Sequence, residues 1–178
     1  LYAEVGCSFS RSVNGLTHEV VNGVNTYTYV RPNLTPRFEK GRCFQRTKML
    51  LHLYKKLEKE WGRPDVVNLR SSLQGYEALA LCRRYRLPLF FMEHSSFVVT
   101  EGEGSAAVVR LRAVMNAAAV NACVSSVLMR VMQPIDANTR LIPDFVDERR
   151  FCITEKTQPT DRFVFAAMGQ LRPIKGHD

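Results

Sequence analysis

The chain has 178 residues, 46% of them hydrophobic and 24% charged, with a formal net charge of +8, enough for one domain with a real core and ordinary for a globular protein. No stretch approaches the roughly 18 uninterrupted apolar residues of a membrane span, because Arg110, Arg112, Asn116, Asn121 and Arg130 interrupt the most apolar region, 106–132, and no secretory signal is visible. Five scattered cysteines, none in a Cys-x-x-Cys pair, argue for reduced thiols used mostly in packing, and against a disulfide scaffold or a zinc site.

Residues 2–9 alternate weakly, with Val5, Cys7 and Phe9 on one face, and predict a strand. Glu19-Val20-Val21 and residues 24–30 flank Asn22-Gly23, a dipeptide that supplies positive φ, and so predict a β-hairpin. Pro32 and Pro36 mark 31–41 as a loop. Leu50, Leu53, Tyr54, Leu57 and Trp61 recur at three- and four-residue steps and predict one apolar stripe on a helix over 45–61, ended by Gly62 and Pro64. A short strand over 65–68 and a loop over 69–74 follow. A second helix over 75–85 is expected to pack through Tyr76, Leu79, Ala80 and the stem of Arg83.

Residues 89–92 form an apolar strand that runs directly into Glu93-His94-Ser95-Ser96. Residues 106–117 read as a helix with Leu111 and Met115 on one side, and 120–124 as a strand. Ser125 suits the N-cap of a short helix over 126–132, closed by Pro134. A strand over 139–142 enters Pro143-Asp144-Phe145-Val146-Asp147. The polar stretch 156–161 reads as a linker. Residues from Phe163 form a last buried strand, ending in a glycine and a loop that carries Lys175. The chain starts on a leucine and stops soon after opening this unit, so it reads as an internal piece of a longer protein, truncated at both ends.

From Trp61 onward strand and helix alternate, which implies βαβ units and a parallel sheet covered by helices. Ligands in such sheets lie beyond the C-terminal ends of the strands. That rule selects the loop before Gly75, the loop at 93–96, the turn at Ser125 and the loop at 169–176. In the second of these, His94 can exchange hydrogen bonds with a sugar hydroxyl or a phosphate oxygen. The plainer alternative is a structural histidine at a strand end. In the fourth, Gly169 and Gly176 let backbone approach a ligand, and Arg172 and Lys175 suit a diphosphate. The plainer alternative is a solvated turn, since the spacing is neither a P-loop nor G-x-G-x-x-G. Ser71, Ser72, Gln74 and Gly75 precede a helix whose first amides suit an anion or a hydroxyl-rich ligand, although serines there commonly serve only as caps. Asp-x-Asp, His-Glu-x-x-His and Gly-x-Ser-x-Gly are all missing from the sequence, so metal-dependent and serine-hydrolase chemistry gain no support.

These segments together resemble the glycosyltransferase family 4 enzymes of two-lobed GT-B fold. Val24 to Pro32 resembles a variable strand of their N-terminal lobe. Pro64-Asp65-Val66-Val67-Asn68 resembles their "PDVVH" strand, and Gly75 to Leu79 the helix after it. Leu87 to Ser96 is similar to "iPfvvTEHSS", and Val120 to Ser125 to "viaVS". Leu141 to Asp147 followed by Phe151 resembles "viPNgvD…F", and Met168 to Gly176 the "vGRLxxxKG" that opens the C-terminal lobe. The resemblance covers residues 24–178. It implies a Rossmann-like parallel sheet flanked by helices in an acceptor lobe over 1–154, incomplete at its start. A linker over 155–162 and the first strand and loop of the donor lobe over 163–178 would follow.

The resemblance also implies retaining transfer of a sugar from a nucleotide-sugar donor, UDP- or GDP-linked, to a glycan, lipid or small-molecule acceptor. No metal or cofactor is implied, nor any nucleic-acid partner. His94 inherits a place near the donor sugar. Lys175 and Gly169 match the diphosphate loop, while Gln170 replaces its arginine. Arg172, two residues on, either compensates or leaves donor affinity lower. Asn68-Leu69-Arg70 stands where many relatives carry His-x-His, which points to a different acceptor. Asp144-Phe145 replaces Asn-Gly, so this turn is not expected to keep the Asn-Gly geometry, because Phe tolerates positive φ poorly. The implied setting is cytoplasmic, with peripheral contact at the inner membrane face. The resemblance further implies an acidic motif of two glutamates, gripping the donor sugar and ribose, that would follow Asp178, so the piece alone is expected to be inactive. Two rivals stand beside this reading. One is a non-catalytic basic module for anionic lipid or nucleic acid, drawing on Lys55, Lys56, Lys59, Arg83, Arg84 and Arg86. The other is a GT-B sugar-nucleotide epimerase.

Overall fold

A computed structural model describes residues 1–8, 15–34, 38–102, 104–149 and 151–152. The chain divides into two compact units, Leu1–Asp144 and Phe145–Asp178. The linker expected over 155–162 and the strand and loop expected over 163–178 lie outside the described residues. So do Gly169, Gln170, Arg172 and Lys175. In the second unit Asp147 closes a short turn, its carbonyl accepting the Phe151 amide and its carboxylate the Arg149 amide, both at 3.0 Å.

The first unit holds two sheets. In one, β1 (Tyr2–Ser8), β2 (Gly15–Val21) and β3 (Val24–Pro32) are ordered β1-β3-β2. The hairpin between β2 and β3 is antiparallel, with Val21 opposite Val24. Asn22 and Gly23 turn it with φ of 50° and 79°, the positive pair that a tight hairpin needs. β1 joins on the other side of β3 in parallel. β2 reaches back to Gly15 and β3 forward through Pro32, both further than expected. Pro32 is tolerated because it closes its strand, where a missing N–H costs the ladder little.

The other sheet carries the expected Rossmann-like architecture. β4 (Val67–Leu69), β5 (Leu89–Glu93), β6 (Val120–Cys123) and β7 (Arg140–Leu141) lie in sequence order and all pair in parallel. The helices α1 (Glu39–Trp61), α2 (Gly75–Tyr85), α3 (Phe97–Thr100), α4 (Ala106–Met115) and α5 (Ser126–Met132) complete the unit. A 3-10 turn, Ser72–Gln74, occupies the end of the expected loop before α2. α3 had no sequence signal of its own.

Two apolar clusters meet at α1. Phe91, Leu111, Val114 and Met132 lie in the larger one, which packs helices on the parallel sheet. Val5, Tyr27, Met49, Leu53 and Leu57 form the smaller one. Tyr54 of α1 belongs to the larger cluster, and Leu50 packs against both. Burying side chains such as Phe91 and Leu111 fully is worth about 1.5–3 kcal/mol each.

Helix faces differ from expectation in two places. Trp61 is half exposed instead of lying in the α1 stripe, and its indole N–H donates to the Tyr27 hydroxyl at 2.9 Å. In α2, Tyr76 and Arg83 are exposed, while Gly75, Glu77, Ala78, Leu79, Leu81 and Cys82 are buried. The helix is rotated from the expected face because it packs on α1 and α4 as well as on the sheet.

Candidate functional site

Because β4 to β7 run the same way, the chain leaves all four at one end of the sheet. The residues that follow each strand are thereby gathered: Arg70 after β4, His94 after β5, Ser125 after β6 and Asp144 after β7. Three of the four loops selected from the sequence lie at this end. The fourth, at 169–176, is outside the described residues.

His94 is half-buried. Its Nε2 lies 3.3 Å from both Nε and Nη2 of Arg70, and its Nδ1 lies 3.7 Å from a carboxylate oxygen of Asp144. A guanidinium has only donors, so Nε2 is the accepting nitrogen of this pair. With Nε2 accepting, Nδ1 is the ring nitrogen left to donate towards Asp144. Neither Arg70 nor Asp144 was singled out as a partner of His94 in the sequence. Both are far from it along the chain, and only the parallel sheet brings them in.

Glu93 ends β5 instead of opening the loop. Leu89, Phe91 and Glu93 alternate with more exposed residues and share the buried face of the strand. Glu93 has no exposed surface. One carboxylate oxygen accepts the amides of His94 at 3.0 Å and Ser95 at 2.8 Å, and the other accepts the Ser72 amide at 3.0 Å. A period-two reading of the strand would have found it, since the glutamate falls on the inward positions of an otherwise apolar segment.

The loop before α2 is folded around these contacts. The Ser71 hydroxyl accepts the Leu73 amide at 3.2 Å and caps the 3-10 turn. Ser72 is buried, and the Gly75 amide donates to the Ser72 carbonyl. The amides of Ser72, Leu73 and Gly75 are therefore all engaged within the protein, and Ser71 acts as the cap that serines there commonly provide. The loop instead exposes the side chains of Leu73 and Gln74. Gly75 has an ordinary helical φ of −60°, and a Cβ there would lie 2.3 Å from Cγ2 of Val114. This glycine lets α2 approach α4. Ser125 caps α5, accepting the Leu128 amide at 3.3 Å.

Positive φ at non-glycine residues is confined, among the described residues, to Asn22 and Arg86. Asp144-Phe145 therefore departs from the positive-φ geometry that Asn-Gly favours, and an oxygen of the Asp144 carboxylate lies near His94.

A cavity of about 630 Å³ lies between the first half of α1, the start of α2 and α4. Phe44, Cys43, Tyr76 and Val109 supply apolar wall, and Arg46 and Arg110 supply charge. The two arginines are neutralised locally, while Lys40 also lines the space. Arg46 donates to the buried Glu77 at 2.6 Å, and Arg110 pairs with Glu39 and donates to the Leu73 carbonyl at 3.1 Å. His94 does not line this space. Among the described residues, no group of three or more His, Cys, Asp or Glu is placed to hold a metal ion, and no helix is long and apolar enough to cross a membrane.

Over residues 8–150 the chain matches the family model described as Glycosyltransferase Family 4. No curated protein matches it.

Proposed function

The chain belongs to glycosyltransferase family 4, and from that premise we propose that the protein transfers a sugar, with retention, from a UDP- or GDP-linked donor to a glycan, lipid or small-molecule acceptor. The observation that carries the reading is the meeting of His94 with Arg70 and Asp144 at the ligand-binding end of a parallel sheet. In this proposal His94 contacts the sugar at the reacting centre through a ring whose orientation Arg70 and Asp144 hold. The loop of Ser71, Ser72, Gln74 and Gly75 faces the acceptor through the exposed side chain of Gln74, while Ser71, Ser72 and Gly75 hold its shape.

Transfer breaks the bond between the sugar and a nucleotide diphosphate, so negative charge grows on the departing phosphate. Fixed cations in a water-excluding cleft stabilise that charge far better than cations in water. Lys175 and Arg172 take this role in the proposal, with Gly169 and Gln170 shaping the loop, and neither metal nor organic cofactor is required. Arg70 stands on the acceptor side where many relatives of the family carry histidine, which favours an acceptor with an anionic group. Lys55, Lys56 and Lys59 are exposed along α1, and Arg83 and Arg84 at the end of α2. They suit peripheral contact with an anionic membrane surface.

The test is Lys175→Ala in the full-length protein, read by titration calorimetry with UDP- and GDP-sugars and by product formation. The expected outcome is donor affinity weakened roughly tenfold or more, as for loss of a charge-assisted contact worth about 1.5–3 kcal/mol. Unchanged donor binding and turnover would overturn the reading.

A further inference from the structure

We propose that Glu93 is the positioning residue of this site, clamping the His94 loop to the turn before α2 so that the two move as one body. The proposal rests on the glycosyl-transfer reading for its consequence in turnover, but the clamp itself stands on geometry alone. Each carboxylate oxygen of Glu93 serves a different strand end. One holds His94 and Ser95 beyond β5, and the other holds Ser72 beyond β4. The side chain is fully buried, so water does not compete for these amides, and bonds to an ionised acceptor are roughly twice as strong as neutral ones.

Only this side chain fits the pattern. Glutamine offers one acceptor oxygen and one NH₂ donor, so one of its two arms would set N–H against N–H. Aspartate keeps the charge but is shorter by one methylene, about 1.5 Å. It can serve its own neighbours, His94 and Ser95, but it falls short of Ser72. A buried charge is a costly way to obtain stability alone. What it supplies here is register between the imidazole and the acceptor-side turn, and a misplacement of about 1 Å at a reacting centre costs on the order of a hundredfold in rate.

The experiment compares wild type, Glu93→Gln and Glu93→Asp in the full-length protein by amide hydrogen exchange, by the His94 ring signals and by steady-state kinetics. In wild type the Ser72, His94 and Ser95 amides should be protected together. In Glu93→Gln at least one arm should exchange about tenfold faster, the His94 ring signals should shift, and kcat should fall tenfold to a hundredfold with donor KM little changed. In Glu93→Asp the Ser72 amide alone should lose protection, which keeps the test alive if the glutamine variant does not fold. Unchanged exchange at Ser72 in both variants overturns the clamp. Faster exchange with unchanged kcat overturns the positioning role and leaves the glycosyl-transfer reading intact. Failure of the wild type to turn over any nucleotide-sugar sinks that reading and the role with it, while the exchange data still report on the clamp.

Discussion

Gly75 begins α2 with its bare Cα turned towards Val114, and the helix can lie this close to α4 only because no Cβ intervenes. Gly75→Ala should therefore destabilise the chain by about 1–3 kcal/mol, the usual cost of overpacking a filled interface. Urea unfolding would check it, and a change below about 0.5 kcal/mol would show that Val114 gives way freely. Gly75 was visible in the sequence as part of a strand-end loop, but its duty was not, since a packing glycine and a ligand-facing glycine look alike in one dimension. His94 was found from its place after an apolar strand. Its partners could not be, because Arg70 and Asp144 are joined to it only through sheet pairing. Glu93 was within reach of the sequence and was misassigned to the loop, because a charge at the end of an apolar run reads as the first solvated residue.

At the scale of elements, α1 starts at Glu39, six residues before the start expected at Gln45. No side chain caps it, so the signal that usually betrays a helix start is missing, and Gly41 and Pro36 point towards a loop. α5 shows the opposite case, where Ser125 both announces and caps the helix. The face of α2 was misread because Glu77 looks like a solvent residue. It is buried and held by Arg46 of α1. Arg46→Ala would strand this carboxylate in the interior, and the expected loss is about 3–5 kcal/mol. Replacing both residues by leucine should restore much of that loss, because the desolvation penalty goes with the charge. Unfolding free energies of the single and double variants measure the difference, and equal losses in both would refute the argument.

Over the whole molecule, burial sets how the chain meets alkaline solution. Burial, and then the hydrogen bond to Glu58, pushes the Tyr54 phenol from 10.0 up to about 12. Burial alone pushes the Cys82 thiol from 9.0 up to about 11. Both groups stay protonated in the folded chain while their unfolded counterparts ionise, so the unfolded state binds fewer protons. Stability from this source is complete below about pH 9 and falls as pH rises towards about 12. The urea midpoint should drop between pH 8.5 and pH 11, and Tyr54→Phe should lessen the drop. A flat profile over this window would contradict the burial of both groups. At the same scale, the basic residues follow the simplest expectation: Lys55, Lys56, Lys59, Arg83, Arg84 and Arg86 are all exposed.

Local chemistry was enough to announce the Asn22-Gly23 hairpin and the Ser125 cap, because each depends on residues within a turn or two of one another, and the order of such local signals along the chain announced the βαβ alternation and the family. It was not enough to show that Arg70, His94 and Asp144 converge, that Glu93 joins two loops, or which side of α2 is buried. Those facts depend on contacts between residues 21 or more positions apart, formed when parallel pairing brings the ends of successive strands to one edge and helices pack across it. A chain carries its strand ends in sequence, and only the folded sheet makes neighbours of them.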